Sequence, residues 1–158
     1  MDLLKLASSV VGDVTAWRHH LHAHPELSGQ EVETSAFVER MLREMGADEV
    51  RRAGKTGVVA LVRGVRPGPV FGLRADMDAL PVPELTDVEF KSQHENVMHA
   101  CGHDVHTAVL LGAAKVLCGV RDRIRGAVKF FFQPAEETGR GAKEMIAAGE
   151  PGKEQSGS

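Results

Sequence analysis

Apolar residues recur at two different periods along this chain, and the change of period divides it. Over residues 3–23, Leu3, Leu6, Val10, Val14, Trp17 and Leu21 are spaced by three and four, which predicts one amphipathic helix. His24-Pro25 should end it, because the residue before a proline is pushed out of the helical region. Ser28-Gly29-Gln30-Glu31 reads as a turn and a helix start. A second helix follows to about Met45, with Ala36, Phe37, Met41 and Leu42 on its inner face and Gly46 as C-cap. The period then shortens. Residues 57–64 form a β-branched run bounded by glycines, and residues 69–75 form another after the turn Arg66-Pro67-Gly68. Two such runs this close predict neighbouring strands.

Residues 81–97 carry prolines and charges and read as loop. Ala108, Leu110, Leu111, Ala114 and Leu117 predict a helix from Thr107 to about Val120. Residues 127–133 read as a buried strand, and residues 139–148 as a last short helix closed by Gly149. Glu150 to Ser158 is polar and glycine-rich and is expected to be disordered. Helices before and between short apolar strands make the fold class α/β, a sheet flanked by helices. In such sheets ligands collect at the loops that follow strands.

Composition narrows the function classes. The chain has 158 residues, 42% hydrophobic and 26% charged, which suits one soluble domain with a real core. A net charge of -3 offers no basic field for nucleic acid or anionic membrane, and no apolar run approaches a membrane span. No signal peptide is read at the N-terminus, where Asp2 and Lys5 interrupt the apolar stretch. Two cysteines, Cys101 and Cys118, make no disulfide framework, so a reducing cytoplasm fits best.

Chemistry concentrates in His99-Ala100-Cys101-Gly102-His103-Asp104-Val105-His106-Thr107 and in Gln133-Pro134-Ala135-Glu136-Glu137. Thiolate, imidazole and carboxylate are zinc-type ligands, and a free carboxylate beside a metal is the usual base for activating water. Cys101 and His103, two apart in an extended loop, would point to one side and reach one ion. Asp104 and His106 would hold an imidazole by its other nitrogen. Of the adjacent Glu136 and Glu137, one can bind metal while the other faces water. Asp76-Met77-Asp78 at a strand end also admits phosphoryl transfer, although Arg74 and Ala79 depart from that pattern. His20 and His24 have ligand spacing on a helix, but Leu21 stands where a metallopeptidase helix needs its Glu, so a solvated helix face is the expectation there.

Four segments, Trp17 to Leu27, Leu73 to Pro81, Met98 to Thr107 and Phe132 to Glu137, carry a resemblance to a known family. The chain resembles the amino-terminal part of M20-type metallopeptidases, in the amidohydrolase branch that includes hippurate hydrolases, N-acyl-amino-acid amidohydrolases and plant auxin-conjugate hydrolases. The resemblance implies a zinc-peptidase-like mixed sheet, incomplete at the C-terminus, and a site for two divalent ions (Zn, Mn, Co or Ni). Cys101 would be the bridging ligand, His103 and Glu137 further ligands, and Glu136 the general base. Asp78 matches an acidic residue that, in related branches, follows a metal-binding His by two places; Asp76 stands at that His position.

The family's two further metal histidines have no counterpart, since no histidine follows His106. Its members are also more than twice as long. Residues 1–149 are therefore expected to be the amino-terminal part of a catalytic domain, with 150–158 as a tail and the lid or dimerisation domain and the returning catalytic segment absent. The implied activity is hydrolysis of small N-acyl amino acids such as hippurate, impaired by truncation, in a family whose full-length members form homodimers. The alternative is a non-catalytic remnant that binds metal or a partner.

Overall fold

The computed structural model describes residues 2–149; the expectation for 150–158 lies outside them. In chain order the elements are α1 (Leu3–Ser9), α2 (Val11–Ala23), α3 (Val32–Glu44), β1 (Glu49–Ala53), β2 (Gly57–Arg63), β3 (Arg66–Asp76), α4 (His103–Gly119), β4 (Arg125–Gln133) and α5 (Gly141–Ala147), with a 3-10 turn at Arg121–Arg123. No helix among the described residues is long and apolar enough to cross a membrane.

The first predicted helix is two. Ser8, Ser9, Val10, Val11 and Gly12 are all poor helix formers, and Ser9 Oγ donates to the Leu6 carbonyl at 2.7 Å, competing with the helical ladder. The chain turns at Val10, whose amide returns to the Ala7 carbonyl. Before α3, Glu26 acts as a remote cap: its carboxylate accepts the Glu33 amide at 3.1 Å and the Thr34 amide at 2.8 Å. Phe37, Val38 and Leu42 form the buried face of α3.

The sheet order is β1-β2-β4-β3. β1 pairs antiparallel with β2, β2 antiparallel with β4, and β3 parallel with β4. The expectation that the runs at 57–64 and 69–75 are neighbours is thus corrected: β4 lies between them. Parallel strands need a crossover, and here residues 77–102 and α4 supply it, so β4 inserts beside β3 on its return. β1 had no sequence signal because, of its five residues, Ala53 alone is buried.

Strand alternation gives the sheet two interiors. Val58, Ala60, Val62, Phe130 and Phe132 face the main core with Leu21, Val38, Leu42 and Leu111 from the helices. Val59, Ala53 and Met145 form a smaller cluster on the other face, against Phe131. The three phenylalanines of β4 are therefore divided between two covered faces. Apolar exposure falls instead on the edge strand β3, at Val70, Phe71 and Leu73.

Candidate metal centre

β3 and β4 run parallel with Asp76 opposite Gln133, so both chains leave the sheet at the same end. α4 returns from that end, which brings its first residue, His103, to the same place. The segment before α3 docks there too: Leu27 bridges to Ala79, and the Ala79 amide donates to the Glu26 carbonyl at 2.8 Å. Four stretches of sequence that are far apart thus meet at the carboxyl ends of two strands, where open α/β sheets hold ligands.

The helix begins four residues earlier than its apolar pattern indicates. Gly102 sits at φ 78°, and His103 opens α4. The expectation that Cys101 and His103 share an extended loop is corrected by this turn. Asp104 is corrected with it. Consecutive helical residues point about 100° apart, so Asp104 leaves the side of His103 and accepts from Arg18 Nε at 2.9 Å and His22 Nδ1 at 2.8 Å. His106, three residues on, stays on the side of His103, with ring centroids 5.7 Å apart, and its Nδ1 lies 3.6 Å from Asp76 Oδ2. It holds no imidazole in place.

Asp78 is the residue that orients His103. His103 Nδ1 donates to the Asp78 carbonyl at 2.9 Å and lies 3.3 Å from Asp78 Oδ1. That fixes the tautomer and leaves Nε2 with a free lone pair. Nε2 lies 3.9 Å from Glu136 Oε2 and 3.9 Å from Glu137 Oε1. The other oxygen of Asp78 accepts the Ser28 hydroxyl at 2.7 Å and the Glu137 amide at 3.0 Å. Asp78 itself is 0% exposed. Cys101 is exposed, and a hydrogen bond to the Glu137 carboxylate pushes its thiol above the ordinary value, with the charges of Glu136 and Asp78 acting in the same direction.

Two groups of donors result among the described residues. His103, Glu136 and Glu137 offer atoms all within 4.8 Å of one another, and Asp76, His103 and His106 do the same. Cys101 belongs to neither group. Divalent cations fit this centre. One imidazole nitrogen is freed by a carbonyl on the other, two carboxylates face it, and Asp78 Oδ1 is buried without a hydrogen-bond partner. Such a crowd of acceptors needs positive charge. Asp76 is less available, since the Arg74 guanidinium pairs with it.

Sequence reasoning missed several groups around this centre. His22 is 4% exposed, with Nδ1 on Asp104 and Nε2 on Glu84 at 3.0 Å. His20 is exposed, as a solvated helix face requires, although its ring packs on Phe37 and partial burial pushes it below its ordinary value. Glu84 sits in what read as plain loop. Burial opposes its ionisation, but bonds from Thr86, the Ser92 amide and His22 outweigh that and hold its carboxyl down at about 2. His99 is buried with neither ring nitrogen hydrogen-bonded, and burial pushes it down to about 4. Glu31 is fully buried, and nothing in its neighbours Gln30 and Val32 signals that.

The chain is similar to known proteins. Residues 72–156 match the sequence profile of Peptidase family M20/M25/M40. The chain is 52% identical over 149 residues to an N-acyl-L-amino acid amidohydrolase of Geobacillus stearothermophilus, covering 94% of this chain and 40% of the relative. It is 45% identical over 149 residues to a hippurate hydrolase of Campylobacter jejuni, covering 94% of this chain and 38% of that protein. Among solved structures, the YXEP protein of Bacillus subtilis, a dinuclear metal-binding peptidase of the M20 family, superposes with a TM-score of 0.85 at 44% identity, over 90% of this chain and 40% of that one. The chain thus spans about 40% of the length of these relatives. A mixed sheet flanked by helices, ligand-type residues gathered at the ends of β3 and β4, and a profile match over more than half the chain lead to one conclusion: the chain belongs to Peptidase family M20/M25/M40.

Proposed function

We propose that this chain supplies the amino-terminal part of the catalytic domain of a metal-dependent amidohydrolase that cleaves small N-acyl amino acids of the hippurate type. The observation that carries the reading is the His103 Nε2 lone pair, freed by Asp78 and facing two carboxylates at 3.9 Å. His103, Glu137 and Cys101 would hold divalent ions such as Zn, Mn, Co or Ni, two of them in the complete site, and Asp76 with His106 offers a further pair of donors beside His103. When bound, the ions polarise the scissile carbonyl and acidify water.

The two glutamates differ in what fixes them, and that difference supports separate roles. Glu137 is held through its amide by Asp78, and its side chain is 21% exposed. Glu136 has no such ties, and its side chain is 42% exposed. Glu136 is therefore the residue free to take a proton from the attacking water and return it to the departing amine nitrogen. Asp78 does not touch the substrate in this scheme; it keeps His103 in the right tautomer. A reducing, cytoplasmic setting would keep Cys101 available as a ligand.

The test is metal titration followed by hydrolysis of N-benzoylglycine. The chain should bind Co2+ with an absorption band from Cys101, and Glu136→Gln should keep that band. In the complete protein Glu136→Gln should lower turnover by about 10²–10⁴. A chain that binds no Co2+ would remove the metal centre, and an unimpaired Glu136→Gln enzyme would remove Glu136 as base. Metal binding with no hydrolysis by the complete protein would favour a non-catalytic binding module.

A further inference from the structure

The backbone just before Glu136 is in a conformation that its residue type disfavours. Ala135 has φ 49°, one of two non-glycine residues with positive φ among the described residues. An L-residue with a Cβ adopts this region only when its surroundings impose it. Here both polar groups of the residue are committed. Its amide donates to Glu31 Oε1 at 2.8 Å. Its carbonyl accepts the Arg140 and Gly141 amides, both at 3.2 Å, and the Thr138 hydroxyl at 3.3 Å. Gly141 passes so close that a Cβ there would lie 1.5 Å from the Pro134 carbonyl oxygen.

Glu31 is built for this task. It is 0% exposed, and three neutral donors fill its carboxylate: the Gly29 amide at 2.8 Å, the Ala135 amide at 2.8 Å, and the Thr56 hydroxyl at 2.7 Å on the other oxygen. A fully buried carboxylate is costly unless its acceptors are satisfied. This one is satisfied by reaching across 104 residues of sequence to the peptide that precedes the candidate base.

We infer that Glu31 is a positioning residue: it imposes the left-handed backbone at Ala135 and so aims Glu136 and Glu137 at His103. The inference rests on the reading of Glu136 and Glu137 as site residues, and it extends that reading to a residue that touches neither substrate nor metal. Asp78 secures the turn at the Glu137 amide and Glu31 secures it at the Ala135 amide, so Glu136 stands between two pinned peptides.

Three variants of the chain test this, with Co2+ affinity and the Co2+ absorption band as readouts. Glu31→Gln keeps an acceptor for the two amides and should bind Co2+ within about threefold of the unaltered chain. Glu31→Met has similar length and no acceptor, and should lose about 10–100-fold in affinity, as outer-sphere partners of metal ligands do. Adding Ala135→Gly to Glu31→Met should recover most of that loss, because glycine adopts a positive φ unaided. Normal affinity in a folded Glu31→Met chain, or no recovery with Ala135→Gly, would overturn the inference.

Should Glu31→Met not fold, amide hydrogen exchange in the unaltered chain decides: the Ala135 amide should be protected like a sheet amide, and surface-like exchange would overturn the proposal. A chain that binds no Co2+ at all would sink the metal centre while leaving that exchange measurement, and rescue of the Glu31→Met melting temperature by Ala135→Gly, to judge Glu31 on its own.

Discussion

Asp78 Oδ2 accepts the amide of Glu137 at 3.0 Å, so a fully buried carboxylate at the end of β3 ties down the turn that follows β4. The same side chain and its carbonyl fix the His103 ring. Asp78→Ala is therefore expected to loosen two candidate ligands at once and to lower Zn2+ affinity by about 10–100-fold. Isothermal titration of the folded variant checks this; an affinity equal to that of the unaltered chain would show that neither ligand depends on Asp78.

The Cys101 thiol is raised because the Glu137 carboxylate accepts a hydrogen bond from the S–H and its charge repels the thiolate. In the metal-free chain Cys101 should alkylate slowly at pH 8, since the thiolate is the nucleophile. Glu137→Gln should move the pH midpoint of alkylation downward and speed the reaction. Zn2+ should protect the thiol in the unaltered chain. Iodoacetamide kinetics at several pH values, with Cys118→Ser as background, measure all three.

His22 places one nitrogen against Asp104 and the other against Glu84, with Arg18 also on Asp104. The ring thus cross-links two buried carboxylates. His22→Leu leaves those carboxylates facing an apolar side chain. Removing one partner of a buried ionic network costs about 3–5 kcal/mol, and the low end is expected here because Arg18 still serves Asp104. Urea unfolding gives the difference directly.

Glu84 sets an acid limit. Its carboxyl is held at about 2 against an ordinary 4.5, so the unfolded chain binds its proton first as pH falls. The stability that it contributes is complete above about 4.5, falls through the interval below that, and is gone once pH passes about 2. The stability gap between the unaltered chain and Glu84→Gln should therefore be constant from pH 7 to 5 and close steadily below. A gap that persists at pH 2 would mean that Glu84 acts through something other than its charge.

Much of this was legible because the signals are local. The apolar faces of α3 and α4 and the dense runs of β2 and β4 follow from side-chain period alone, and ligand chemistry pointed to Cys101, His103, Glu136 and Glu137. What stayed hidden depends on partners distant in sequence. β1 buries only Ala53, so Glu49–Ala53 has no pattern to read. Asp104 sits beside His103 in sequence and on a different side of the helix in space. Glu31 looks like an ordinary acid near a helix start, and its value lies in an amide 104 residues away. Glu84 reads as loop, and nothing in its segment or in that of His22 announces the other.

The strand order has a consequence in time. β4 follows β3 in the chain, yet it lies between β2 and β3, and among the described strands β3 pairs with it alone. β1 and β2 can form a hairpin early, while β3 must wait unpaired for the chain to travel through α4 and return. Closing that long excursion is entropically expensive and slow. His103 precedes β4 and Glu136 follows it, so the donors that face each other across the site cannot meet before β4 has paired with β3. A cation held between these donors would therefore be bound only after β3 and β4 have paired.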